Sequence, residues 1–169
     1  MERDIILKRW NDSVAAYRDQ PAVVFDGKAF TYGEIDAVSD RIAAHLQNSC
    51  GIKTEDIVGV MIDRSELMAI YPLAIMKCGA AYMPLDPHFP EDRLTFMCED
   101  ADVNIILADD GLVQKVMPSW DKGLFEKKTI ATLPEAKAVL PDDFCESSLL
   151  VILYTSGSTG KPKGVMLEQ

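Results

Sequence analysis

Residues Tyr154-Thr155-Ser156-Gly157-Ser158-Thr159-Gly160-Lys161-Pro162-Lys163-Gly164 gather glycines, hydroxyls and two lysines into one short stretch. Glycine lets backbone N–H groups come close to a ligand, because no Cβ stands in the way. Successive N–H groups in such a turn form a concave anion site. Thr155, Ser156, Ser158 and Thr159 add neutral donors, while Lys161 and Lys163 add positive charge. The chemistry this suits is the cradling of a polyphosphate. A rigid element must hold the cradle, and Leu149-Leu150-Val151-Ile152-Leu153, apolar and β-branched, predicts a buried strand just before it. The blander reading, a flexible Gly/Ser linker, fits poorly with a buried strand on one side and Lys-Pro-Lys on the other.

The first comparison is with the nucleotide-binding loop G-x-x-x-x-G-K-[ST]. Its spacing is not met: only Ser158 and Thr159 separate Gly157 from Gly160. Pro162 then follows Lys161, where that motif needs a magnesium-binding hydroxyl. The stretch instead resembles, nearly residue for residue, the phosphate-binding loop YTSGSTGKPKGV of adenylate-forming enzymes. That superfamily holds acyl-CoA synthetases, luciferases and the adenylation domains of nonribosomal peptide synthetases.

Two further segments carry the same resemblance. Phe30-Thr31-Tyr32-Gly33-Glu34-Ile35 is similar to the family's first recurring motif, and nothing in it can do chemistry. Met76-Lys77-Cys78-Gly79-Ala80-Ala81-Tyr82-Met83-Pro84-Leu85-Asp86-Pro87 is similar to the second, with Cys78 where alanine is usual. The continuation His88-Phe89-Pro90-Glu91-Asp92-Arg93-Leu94 resembles the amino-acid-adenylating branch more than the fatty-acyl or acetyl branches. Gln169 stands where relatives usually place histidine, which leaves that residue's usual contact in doubt.

The elements that must position the cradle are legible in order. Ile6, Leu7, Trp10, Val14 and Tyr17 recur at helical spacing. Asp26-Gly27 between Ala22–Phe25 and Ala29–Thr31 predicts a tight hairpin. Thr31 and Glu34 predict a capping box, with Ile35, Val38, Ile42 and Leu46 as the buried stripe and Gly51 as the stop. Residues 57–62 form a continuous apolar run, which predicts a strand covered on both faces. Ser65 is a candidate N-cap for a buried helix from Leu67 to Cys78, apolar on nearly every side and kinked at Pro72. A helix from Pro90, a strand over 103–107 and a short helix over 112–117 follow, with 118–128 as loop and 129–131 as a short strand. Apolar strands alternating with helices predict an α/β domain whose central sheet is largely parallel and flanked by helices.

Bulk properties narrow the class. At 169 residues the chain is long enough for one domain with a proper core. The net charge of −10 argues against nucleic acid and anionic membrane surfaces as partners. Neither a secretory signal nor a membrane span is visible in the residues. Cys50, Cys78, Cys98 and Cys145 form no C-x-x-C pair, and each has apolar neighbours, so reduced, buried thiols in a cytoplasmic protein are expected. His45 reads as a satisfied helical histidine and His88 as loop surface. The Asp142–Asp143 pair lacks the ligand count of a metal site, so no metal ligand is assigned.

The resemblance implies an ATP-dependent ligase that turns a carboxylic acid, here an amino acid, into an acyl-adenylate and then passes it to a carrier protein's phosphopantetheine thiol. It implies ATP and Mg2+ as cofactors, with phosphate contacts from Thr155, Ser156, Gly157, Ser158, Thr159, Gly160, Lys161, Lys163 and Gly164. Which lysine faces the phosphates stays open. It also implies that residues 1–169 are the N-terminal part of an adenylation domain, truncated after the loop. The magnesium-binding glutamate, the specificity pocket and the catalytic lysine of relatives all lie downstream. Two other classes stand beside this one: a catalytically silent interaction module, and one half of a split enzyme that needs the missing C-terminal part as a second chain.

Overall fold

The computed structural model describes residues 6–156 and 162–169. The chain opens with α1 (Ile6–Tyr17), followed by the hairpin β1 (Pro21–Phe25) and β2 (Lys28–Thr31) and by α2 (Tyr32–Asn48). Then come β3 (Ile57–Met61), α3 (Leu67–Lys77), β4 (Ala81–Pro84), α4 (Glu91–Asp100), β5 (Ile105–Ala108) and α5 (Leu112–Val116). The last part holds β6 (Gly123–Glu126), a 3₁₀ helix (Lys127–Thr132), β7 (Leu149–Ser156) and β8 (Pro162–Glu168).

Local sequence explains the entry into the fold. Asp26 and Gly27 both have positive φ, 48° and 73°. That is the pair of left-handed residues a two-residue hairpin turn requires. At the start of α2 the Glu34 N–H donates to Thr31 Oγ1 (3.2 Å), and the Thr31 N–H donates to the Glu34 carboxylate (2.8 Å). The predicted capping box is therefore present, and it removes two orphan donors at the helix start.

The main sheet runs β6-β5-β3-β4-β7-β8. Every neighbouring pair is parallel except the antiparallel β7–β8 edge. β3 lies in the middle, and Val58 through Met61 are buried, as its unbroken apolar run requires. One face packs under α2 and α3, where Ile35, Ile42, Leu46, Tyr71 and Ile75 meet Val58, Val60 and Leu107. The other face packs under α4 and α5, where Leu94, Met97, Cys98 and Val113 meet Met61, Met83 and Ile106.

A buried charge cluster ties three helices together on the first face. Lys77 Nζ donates to Asp36 Oδ1 and Asp40 Oδ1, each at 2.7 Å, and to the Asp36 carbonyl at 3.0 Å. The Trp10 indole N–H also donates to Asp36 Oδ1, at 2.9 Å. Burial works against the Asp36 carboxylate, but the Lys77 and Trp10 hydrogen bonds outweigh it and hold its pKa below the ordinary value.

Several expectations change. Residues 123–126 form the edge strand β6 rather than loop, paired in parallel with β5. Residues 129–131 belong to the 3₁₀ helix rather than a strand. The final strand continues past Leu153 to Ser156, and a further strand follows at Pro162. Cys78 and Cys98 are buried free thiols, as expected, whereas Cys50 is exposed and Cys145 half-buried. No helix among the described residues is long and apolar enough to cross a membrane.

Candidate functional site

The two described ends of the glycine-rich stretch, Tyr154–Ser156 and Pro162–Gly164, are the last rungs of the β7–β8 ladder. Its outermost rungs pair Tyr154 with Gly164, Thr155 with Lys163 and Ser156 with Pro162. Thr155 and Ser156 are thus strand residues of β7, and Lys163 and Gly164 strand residues of β8. Gly157, Ser158, Thr159, Gly160 and Lys161 lie outside the described residues. Directly opposed residues of an antiparallel pair project to one face. The Thr155 hydroxyl and the Lys163 side chain therefore stand side by side, both exposed. Tyr154 belongs to the opposite face, with Ile152, and packs toward α4.

The neighbouring carboxyl ends of β3 and β4 form a groove of about 620 Å³. Val60, Tyr82, Met68 and Leu153 give it apolar walls, and Asp63, Arg64 and Asp86 stand at its polar parts. In open α/β sheets the carboxyl ends of parallel strands are where ligands bind. The hairpin borders this groove through Leu153 and Tyr154. Sequence reasoning passed over Asp63 and Arg64; their place directly after a central buried strand was the available signal.

Asp86, His88 and the Asp63 backbone have local partners. His88 Nδ1 lies 2.8 Å from Asp86 Oδ1, and the His88 N–H donates to the same oxygen at 2.9 Å. That backbone bond, then the ring contact, lowers the Asp86 pKa. The Asp63 N–H donates to Asp109 Oδ2 at 2.8 Å, which links the ends of β3 and β5. The Arg93 guanidinium stacks over Phe89, 3.9 Å from the ring centroid. Tyr154 has its pKa raised, first by burial and then by its hydrogen bond to Asp100.

Other candidates fall where surface or packing residues belong. His45 is half-buried on α2 with its ring 5.5 Å from that of Phe125. Asp143 accepts a hydrogen bond from the Thr54 hydroxyl at 2.8 Å. Among the described residues no group of three His, Cys, Asp or Glu side chains is placed to hold a metal ion.

The sequence model of the family described as AMP-binding enzyme matches residues 10–169. The chain belongs to that family. It is 35% identical over 196 aligned residues to bacitracin synthase 3 of Bacillus licheniformis, covering 99% of this chain and 3% of that protein. Among solved structures it is similar to the N-terminal subdomain of Klebsiella oxytoca NpsA in complex with 3-hydroxybenzoyl-AMSN. The TM-score is 0.83 at 27% identity, over 99% of this chain and 41% of that one. An artificially fused adenylation–PCP di-domain, NpsA-ThdA from the same organism, matches with TM-score 0.84 at 25% identity, over 99% of this chain and 30% of that one. This AMP-binding chain thus corresponds to the N-terminal part of an adenylation domain of the nonribosomal peptide synthetase kind. The resemblance read from its motifs holds for the family and for the fold.

Proposed function

We propose that this chain supplies the phosphate-handling part of a cytoplasmic, ATP-dependent enzyme that activates an amino acid as its acyl-adenylate, for transfer to a carrier-protein thiol. The observation that carries the reading is the Thr155–Lys163 pair. A hydroxyl donor and an ammonium group project together at the root of the glycine-rich segment, beside the carboxyl ends of a parallel sheet.

In the proposed reaction a carboxylate oxygen attacks the α-phosphorus of ATP. A new C–O–P link forms, the bond from the α-phosphorus to the bridging oxygen breaks, and pyrophosphate leaves with the electron pair. The protein must hold the reactants in line and neutralise charge growing on the leaving group. Lys163 and Thr155 suit the second task, with Ser156, Gly157, Ser158, Thr159, Gly160 and Lys161 as the rest of the cradle. The described residues offer no ligand set for magnesium, so no step is assigned to it.

Amino-acid-dependent exchange of labelled pyrophosphate into ATP tests this reading. Fused to the segments that follow this region in a relative, the chain should support exchange, whereas the 169-residue chain alone should support none. Lys163→Ala in the fused enzyme should lower the exchange rate roughly tenfold to a hundredfold, the range for a charge-assisted contact made in the transition state. A fused enzyme that folds but is indifferent to Lys163→Ala would refute the assignment.

A further inference from the structure

We propose that Tyr154 and Asp100 form a strut that sets the direction of the β7–β8 hairpin root, and that Gly164 lacks a side chain so that the Tyr154 ring can lie across it. The proposal deepens the phosphate-handling reading, since the root carries the Thr155–Lys163 pair. Tyr154 and Asp100 are positioning residues in it.

The Tyr154 hydroxyl donates to Asp100 Oδ2 at 2.6 Å, the short distance typical of an O–H group on a carboxylate. Asp100 is the last residue of α4, so the bond joins the hairpin to the helix layer. The hairpin has reason to need such a tie. β4 ends at Pro84, and the register between β4 and β7 pairs only Tyr82 with Val151. From Ile152 onward β7 is laddered to β8, and β8 is the edge of the sheet. The outermost rungs project beyond the strand that anchors the hairpin.

Gly164 is explained by the same geometry. It sits opposite Tyr154, and a Cβ there would stand 3.2 Å from Tyr154 Cζ, 3.4 Å from Cε2 and 3.2 Å from Ile152 Cγ2. Gly27, Gly51, Gly79 and Gly111 have positive φ, but Gly164 does not. The backbone there does not call for glycine, whereas a Cβ would crowd the Tyr154 ring and the Ile152 methyl, which would have to give by a few tenths of an ångström. With the ring lying over Gly164, the phenol reaches Asp100. The ring and its hydrogen bond fix the plane in which the next rung, Thr155 and Lys163, projects.

The test uses the full 169-residue chain and the variants Tyr154→Phe, Asp100→Ala, Asp100→Glu, Gly164→Ala and the Phe/Ala double. Two readouts are taken: amide hydrogen exchange by NMR, and affinity for inorganic pyrophosphate by phosphorus NMR. Tyr154→Phe and Asp100→Ala should each speed exchange at Thr155, Lys163 and Val165 about fivefold, the size of one modest hydrogen bond. Exchange at β3 amides should not change. The double variant should match either single one, because both remove one bond. Gly164→Ala should reproduce the effect with both polar partners intact, and Asp100→Glu should restore slow exchange. Pyrophosphate affinity should fall about fivefold in the same variants and recover in Asp100→Glu. Unchanged exchange at the hairpin root, an even rise throughout the sheet, or additive losses in the double variant would each overturn the strut. A parent chain that binds no pyrophosphate would count against the phosphate reading instead, and exchange alone would then decide the strut.

Discussion

The centre and one edge of the main sheet are built on opposite terms. At the centre, β3 is enclosed between α2 and α3 on one side and α4 and α5 on the other, and Val58 and Met61 have no exposed surface. At the β8 edge, every residue from Lys163 to Glu168 is exposed, and Met166 keeps 69% of its surface open. Both strands carry an apolar run, Ile57–Met61 in β3 and Val165–Leu167 in β8, and what separates the two runs is whether a helix layer lies above. The centre is self-sufficient, and the candidate site belongs to the edge. A binding hairpin at an uncovered edge trades packing for access, and its geometry must come from the few side chains that reach back to the core.

The largest effects should come from breaking the enclosed core. Phe144 lies in the acidic loop of residues 141–148, yet it is fully buried in the α2–α3 core. Phe144→Ala should cost about 3–5 kcal/mol, the range for emptying a large core site. A urea-unfolding midpoint that stays near the parent's would mean that this loop does not seal the core.

The next effect is smaller and depends on pH. Lys77→Met leaves the carboxylates of Asp36 and Asp40 facing each other with side-chain exposures of only 17% and 14%. Breaking a fully buried pair costs about 3–5 kcal/mol, and partial access to water should reduce this to roughly 2 kcal/mol at neutral pH. In the parent the folded pKa of Asp36 lies below its ordinary value of 3.8. The unfolded state therefore binds the proton first. The stabilisation is full above the unfolded pKa and is lost as pH falls through the folded one. In the variant, burial and the facing Asp40 carboxylate act on Asp36 without Lys77 to offset them, so the dependence changes sign and the stability gap should narrow as pH falls toward and below about 4. Unfolding curves at neutral and acid pH check it, and a gap that widens on acidification would contradict the charge assignment.

The features most legible in sequence were those set locally, for a physical reason. The turn at Asp26-Gly27, the capping box at Thr31 and Glu34, and the run at 57–61 are local signals whose causes lie within a few residues. β6 was not visible, because Gly123-Leu124-Phe125-Glu126 buries only Phe125 and exists as a strand through pairing with β5. Thr129 and Ile130 suggested a strand by their branched side chains, but no strand is available to pair with them and the chain closes into a 3₁₀ turn. β8 begins Pro-Lys-Gly, which reads as loop until β7 supplies the partner. At the site, the motif pointed to the family and to the candidate phosphate contacts. The contact of Tyr154 with Gly164 and the reach to Asp100 were hidden, because register and a bond between residues 54 apart are not local properties.

The smallest expected change in stability comes from the uncovered end. Val165, Met166 and Leu167 are exposed at 45%, 69% and 43% on a strand with one unpaired edge. Such an edge is a template for a second chain, and a charge placed on it is the usual protection. Met166→Lys removes no buried contact, so the unfolding free energy should stay within about 0.5 kcal/mol of the parent's. Self-association should respond far more. Sedimentation velocity across a concentration series should show the parent forming larger species that Met166→Lys suppresses. If the variant associated as readily as the parent, the β8 edge would not be the sticky surface. If it instead unfolded as easily as Phe144→Ala, Met166 would have to be counted with the enclosed core, and the contrast between the centre of the sheet and its β8 edge would fail.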